Sequence, residues 1–102
     1  MLKLKPSCEH CDKDLPANST QAMICSFECT FCRDCVENVL DNVCPNCAGG
    51  FVPRPIRPAN EHIDGVSLKQ YPASTEKVFK AVDTQKHQTF IETIKSIAPE
   101  KR

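Results

Sequence analysis

Residues 25–47 read CSFECTFCRDCVENVLDNVCPNC, and six of the chain's eight cysteines fall inside that stretch. They stand in close pairs: Cys25 with Cys29, Cys32 with Cys35, and Cys44 with Cys47. Toward the N-terminus, Cys8 and Cys11 make a fourth pair. Gaps of two or three residues let two sulfurs converge on one tetrahedral ion, because a short turn folds between them. Four such pairs make two four-sulfur sites with no thiol left over.

The rest of the chain explains why these thiols are needed. No cysteine follows Cys47, and Pro53, Pro55 and Pro58 open a stretch of different composition. Residues 1–52 are therefore expected to form a module, residues 53–73 a basic Pro-rich linker, and residues 74–98 an amphipathic helical tail. The module's aliphatic and aromatic stock is too small for an ordinary core, and domains of about 50 residues generally need metals or disulfides. The opening MLKLKPSCEH lacks the apolar run of a secretory leader, and no later segment is long and apolar enough to span a membrane. A cytoplasmic location is the expectation, and there paired cysteines bind metal rather than form disulfides.

Two zinc ions are the expected cofactors. The alternative is an iron–sulfur cluster, since Cys29, Cys32 and Cys35 are evenly spaced and Cys44 precedes Pro45. Ferredoxin-type runs place the proline-linked cysteine after three residues, whereas eight residues separate Cys35 from Cys44. Zinc uses every thiol in two closed tetrahedral sites.

Local pattern sets the pairing. Val36, Val39, Leu40 and Val43 recur at helical spacing, so residues 33–42 read as a short helix with Cys32 and Cys35 at its first turn. Residues 21–24 and 27–31 can form a hairpin before it. The order is knuckle, β-hairpin, helix, knuckle, a small zinc-stabilised α+β fold. Cys8, Cys11, Cys32 and Cys35 then form site 1, and Cys25, Cys29, Cys44 and Cys47 form site 2. Ligands drawn from alternate pairs make a cross-brace, preferred here to two consecutive sites.

FCRDCVENVL followed by CPNC resembles the second half of a RING finger, a treble-clef cross-brace fold, and the resemblance runs from Cys8 to Cys47. Cys29 stands at the usual histidine position. RING ubiquitin ligases hold a conjugating enzyme with an aliphatic residue before the second cysteine, a tryptophan four past the sixth, and a proline in the last knuckle. Here those positions hold His10, Val39 and Pro45, and Ala48 follows Cys47 where arginine is common. Only Pro45 matches, so the resemblance implies the fold without ligase activity. MLKLKPSCEHC, RPIRP and YPAST also resemble a family of short, uncharacterised, cysteine-rich bacterial proteins, to about Phe79. That likeness implies a bacterial cytosol and brings no known activity.

Charge argues against nucleic acid as a partner of the module. Lys3, Lys5, Lys13 and Arg33 oppose Glu9, Asp12, Asp14, Glu28, Asp34, Glu37 and Asp41, a balance of −3 over residues 1–52. Eight thiolates and two divalent ions deepen this to about −7. Residues 53–102 carry nine basic and six acidic side chains, so nucleic-acid binding through the tail stays open as an alternative.

A protein partner is the expectation, met by Val39 and Leu40 on the helix, by Arg54 and Arg57 in PRPIRP, or by the tail. Three residues per polyproline turn put Arg54 and Arg57 on one face. They can fold back over the acidic module or meet an acidic partner. Ser74 reads as an N-cap with Glu76 in the first turn, ahead of a stripe of Phe79, Val82, Lys86, Phe90, Ile94 and Ile97. A break near Asp83 and Thr84 would divide this into two shorter helices. Such a helix needs a surface: its own module, a second copy in a homodimer, or another protein. His10 could substitute as a ligand, while His62 and His87 read as solvated. No catalytic constellation is present, and closed sulfur sites leave no open coordination position. An adaptor or scaffold role is expected, with a thiol- or metal-responsive switch as the alternative.

Overall fold

The computed structural model describes residues 1–102. Its first turn is the Cys8–Cys11 knuckle, a small hairpin in which the Cys8 amide donates to Lys13 O and the Asp12 amide to Cys8 O. Ser7 and Asp14 close it as a bridge. The chain then forms β1 (Ala22–Ile24) and β2 (Thr30–Cys32), antiparallel with Met23 opposite Phe31. Helix α1 (Arg33–Asn38) follows without a break, so Cys32 is its N-cap residue and Cys35 lies one turn in.

The expected helix over residues 33–42 is cut short. Asp41 and Asn42 both adopt left-handed backbone conformations, φ 48° and 57°. The Asn42 amide reaches back to Val36 O, closing the helix end in place of a glycine. Asp and Asn tolerate this conformation better than other residues with a Cβ. The bend buries Leu40 and Val43 completely.

A third strand, β3 (Val52–Pro53), pairs antiparallel with β1 and gives the order β2-β1-β3. It straddles the expected boundary between module and linker. Its outer edge is finished locally: the Phe51 amide donates to Asn42 Oδ1, and Pro53 has no amide to offer. Across the sheet, the Thr30 amide of β2 donates to the Glu9 carboxylate, and the Thr30 carbonyl accepts from the Glu9 amide.

The core lies between sheet and α1. Leu15, Ala22, Met23, Phe31, Val36, Leu40 and Phe51 pack with six cysteines in one cluster of 13 residues. Phe31 meets Phe51 edge-on, with ring centroids 5.5 Å apart. Nearly half the cluster is therefore cysteine, and little hydrocarbon is left to hold the packing alone.

PRPIRP is bound intramolecularly. Arg54 is 4% exposed, and its guanidinium donates to the carbonyls of Lys5, Leu15 and Pro16 at 2.8, 3.3 and 3.0 Å. Burial pulls its pKa below the ordinary arginine value. Arg57 donates to Tyr71 O and Leu2 O, both at 2.7 Å. Of the two expectations for this face, folding back over the module is the one seen, and it ties Leu2, Lys5, Leu15, Pro16 and Tyr71 to the segment after β3. The cause is a loop of carbonyls with no sheet or helix partner, which a planar five-donor group satisfies.

The tail departs from its expected helix. Ser74 Oγ accepts from the Glu76 amide, yet no helix follows. Residues 75–83 run without helix over the module, because its acceptors are within reach: Ser74 N donates to Leu4 O and Lys80 N to Glu9 O. Helix α2 (Thr84–Ile94) starts at the N-cap Asp83, whose Oδ1 accepts from Lys86 N. Its buried face is His87 and Ile91, not the expected stripe; Phe79 is 59% exposed and Phe90 39%. A single 3-10 turn, Pro99–Lys101, completes the tail.

Replacing Arg54 by Lys should lower the stability of the metal-loaded protein by about 2 kcal/mol, because one ammonium cannot reproduce the fork across three carbonyls. Urea unfolding followed by circular dichroism measures this, and an unchanged midpoint would show that the fork contributes nothing.

Candidate metal centre

The knuckle, the hairpin and α1 bring the sulfurs together in two groups. The Sγ atoms of Cys8, Cys11, Cys32 and Cys35 all lie within 4.8 Å of one another. Cys11 and Cys32 are 3.7 Å apart, matching the roughly 3.8 Å edge of a tetrahedron with metal–sulfur bonds of about 2.3 Å. In the second group the Sγ atoms of Cys25, Cys44 and Cys47 share the same 4.8 Å spread. Cys29 stands against Cys25 and Cys44 as the fourth thiol, less tightly gathered than the other three.

Amides are aimed at these sulfurs. The backbone N–H of Phe27 points at Cys25, that of Asn46 at Cys44 and that of Gly49 at Cys47, each at 3.4 Å. The Asn46 side-chain amide reaches Cys29 at 3.4 Å. Such donors stabilise thiolate, and they follow from tight turns between ligands. The electrostatics of the bare groups run the other way. Burial, followed by crowding from neighbouring thiols, drives Cys35 and Cys44 far above the ordinary thiol range. Burial likewise raises Cys29 and Cys32. Burial also acts upward on Cys11 and Cys25, but N–H donors from Lys13 and Phe27, with neighbouring thiols, outweigh it and the net shift is down. Crowded thiols, all but Cys11 and Cys47 buried, become anionic together only with a cation among them. The donor set thus fits a soft or borderline divalent ion, and zinc is consistent with it.

The turns carry backbone strain beside the ligands. Asp12 follows Cys11, Glu28 precedes Cys29 and Ala48 follows Cys47, and all three are left-handed, with φ of 62°, 65° and 66°. Ala48 is the least suited of these, since alanine has no side-chain oxygen to offset the Cβ clash. No glycine marks these positions, so the sequence pattern gave no sign of them.

The model that matches residues 1–57 describes a family of proteins of unknown function, DUF1272. The chain belongs to this family. Among its relatives is the "Uncharacterized protein R02474" of Rhizobium meliloti (strain 1021), 56% identical over 80 residues, which cover 78% of this chain and 88% of that protein. No solved structure matches at a significant level. The family match ends at residue 57, so it contains both cysteine groups and Arg54 and Arg57.

Other residues singled out in the sequence have settled positions. Leu40, expected at a partner surface, is 0% exposed and belongs to the core, while Val39 is half-buried against it. The short helix turns Leu40 inward at its end. His10 is no ligand here: its Nδ1 accepts from the Val82 amide at 2.9 Å. His62 is exposed. His87, expected in solvent, is buried with Nε2 3.4 Å from Leu40 O. Glu9 was counted only as an acid, yet it is 6% exposed and joins the first knuckle to β2 while pairing with Lys5 at 3.1 Å. Asn46 was likewise missed, although a side-chain amide between two ligands is the signal to look for. No helix is long and apolar enough to cross a membrane.

Changing Ala48 to Gly removes the left-handed penalty without touching a ligand, and should stabilise the metal-loaded protein by about 1 kcal/mol. Ala48→Val should destabilise it. A urea midpoint for Ala48→Gly at or below the parent's would mean that the turn is not strained.

Proposed function

We propose that the chain is a two-zinc, RING-like cross-braced module that binds another protein, an adaptor rather than a catalyst. The observation that carries this reading is the interleaving of the thiol groups. One group takes its sulfurs from the first and third pairs, and the other from the second and fourth. Neither site can close until the chain has passed through both, so metal binding and folding are one event. Four sulfurs on each ion leave no position for a water, so the metal acts as a structural clamp.

Protein binding is supported by what remains outside. Phe27 at the hairpin turn is 74% exposed and Val52 on β3 is 60% exposed. The acidic surface of residues 1–52 disfavours phosphate backbones. Of the positions through which RING ligases hold a conjugating enzyme, here His10, Val39, Pro45 and Ala48, only Pro45 matches, so conjugating enzymes are not the proposed partners. A bacterial cytosol is the proposed setting. A thiol-responsive switch is a second reading, favoured by one observation: Cys11 is exposed to solvent while the other three sulfurs of its group are buried. Oxidant would then enter at Cys11.

Native mass spectrometry of the protein purified with zinc should find about two ions per chain. Chelation should abolish the circular dichroism of the folded state, and zinc should restore it. A well-folded protein without bound metal would overturn the clamp. Immobilised zinc-loaded protein should retain a partner from extract of its source that the chelated form does not. Mild peroxide should leave both ions bound; loss of one ion at stoichiometric peroxide would favour the switch.

A further inference from the structure

The tail touches the module at points chosen by chemistry rather than by area. Lys80 N donates to Glu9 O at 2.9 Å, and Val82 N to His10 Nδ1 at 2.9 Å. Glu9 and His10 are the two residues between Cys8 and Cys11. Further along, His87 meets Leu40 O, and Ile91 is wholly buried. At the other end Arg102 Nη1 donates to Asn42 O at 2.7 Å and to Ala48 O at 3.1 Å. Asn42 lies two residues before Cys44 and Ala48 directly follows Cys47, so one guanidinium spans the second knuckle from outside. Arg102 Nε is held in turn by Ile97 O at 3.0 Å. Pro99 rests on Gly50, where a Cβ would stand 3.0 and 3.1 Å from its ring carbons.

Four of these acceptors, on Glu9, His10, Asn42 and Ala48, lie in or beside the turns that the cysteines close. Asn42 and Ala48 are both left-handed, a conformation that relaxes readily once surrounding contacts are lost. Glu9 and His10 present their acceptors to the tail only while the first knuckle is folded between its sulfurs. We propose that residues 80–102 are a strap whose docking is linked to metal at both cysteine groups, with Arg102 as a positioning residue for the second. This rests on the two-zinc reading above. By reciprocity, metal in the knuckles favours the docked strap, and the docked strap slows metal release. Metal loss would free the strap and open the groove of about 620 Å³ between it and the module, which Phe31, Pro45, Asn46, Val82 and Phe90 help to line. The strap lies outside the residues matched by the family model.

The test compares full-length protein with Arg102→Ala and Gly50→Ala, neither of which alters a sulfur. Zinc transfer to a chromophoric chelator should proceed in two phases in the parent. In Arg102→Ala the phase belonging to Cys25, Cys29, Cys44 and Cys47 should quicken about tenfold, the loss of a charge-assisted hydrogen bond, and in Gly50→Ala it should quicken as the added Cβ displaces Pro99. The other phase should change much less. Cadmium-113 spectra of the substituted protein should give two resonances, with only the second group's moving in Arg102→Ala. Amide exchange over Thr84–Ile94 should rise in both variants while the sheet stays protected.

Two equivalents released at parental rates, with tail amides still protected, would overturn the strap and leave the zinc reading standing. Equal acceleration of both phases together with lost protection of the sheet amides would also overturn it, as general loosening. A parent that binds no metal at all would fail the zinc reading itself, and the strap with it.

Discussion

Like charge in a small volume is the constraint on which this molecule rests. Two groups of crowded, mostly buried sulfurs occupy the place of a hydrocarbon core, and burial with mutual crowding drives Cys35 and Cys44 furthest from ionisation. Remove the countercharge and the centre of the fold is a set of crowded thiols with N–H donors pointing at them. Supply it and the same crowding becomes cohesion, because one divalent ion answers four acceptors at once. The aliphatic residues then need only shape the space around the sulfurs. Phe31 and Phe51, Val36 and Leu40 do that from the sheet, from α1 and from the turn that follows.

A second set of cohesive contacts lies in the irregular backbone. More backbone hydrogen bonds lie outside helices and strands than within them, 26 against 14, so turns carry much of the architecture. Arginine serves this backbone three times. Arg54 gathers the carbonyls behind the first knuckle, Arg57 ties Leu2 to Tyr71, and Arg102 bridges the second knuckle. In each case a planar cation replaces the missing sheet or helix partner of a loop. The basic character of residues 53–102 thus has an internal use, and overall neutrality of the chain follows from it.

Much of the site was legible because cysteine spacing is a covalent constraint. Two atoms separated by a short turn must converge, whatever the surroundings. The start of α1 was legible too, from the periodicity of Val36, Val39 and Leu40. Its end was not, because the stop signal was Asp41 and Asn42 taking up a conformation usually read from glycine. The tail was misread for a related reason. Ser74 and Glu76 have the composition of a helix start, but the carbonyls of Leu4 and Glu9 and the His10 ring compete for the same amides. Tertiary acceptors outweighed local propensity, and the register of the buried face moved with the start of the helix to His87 and Ile91. Third strands of two residues, such as β3, lie below what alternation can reveal.

The finishing of the sheet margins has a consequence for how this protein can be read by others. Pro53 offers no donor on one side, and Glu9 already occupies both polar groups of Thr30 on the other. A visiting peptide finds no ladder to join, so recognition by main-chain zippering is closed off, as is stacking of one copy on the next into fibres. These margins therefore leave side-chain shape and charge, rather than backbone pairing, as the means by which the sheet's surroundings can be recognised.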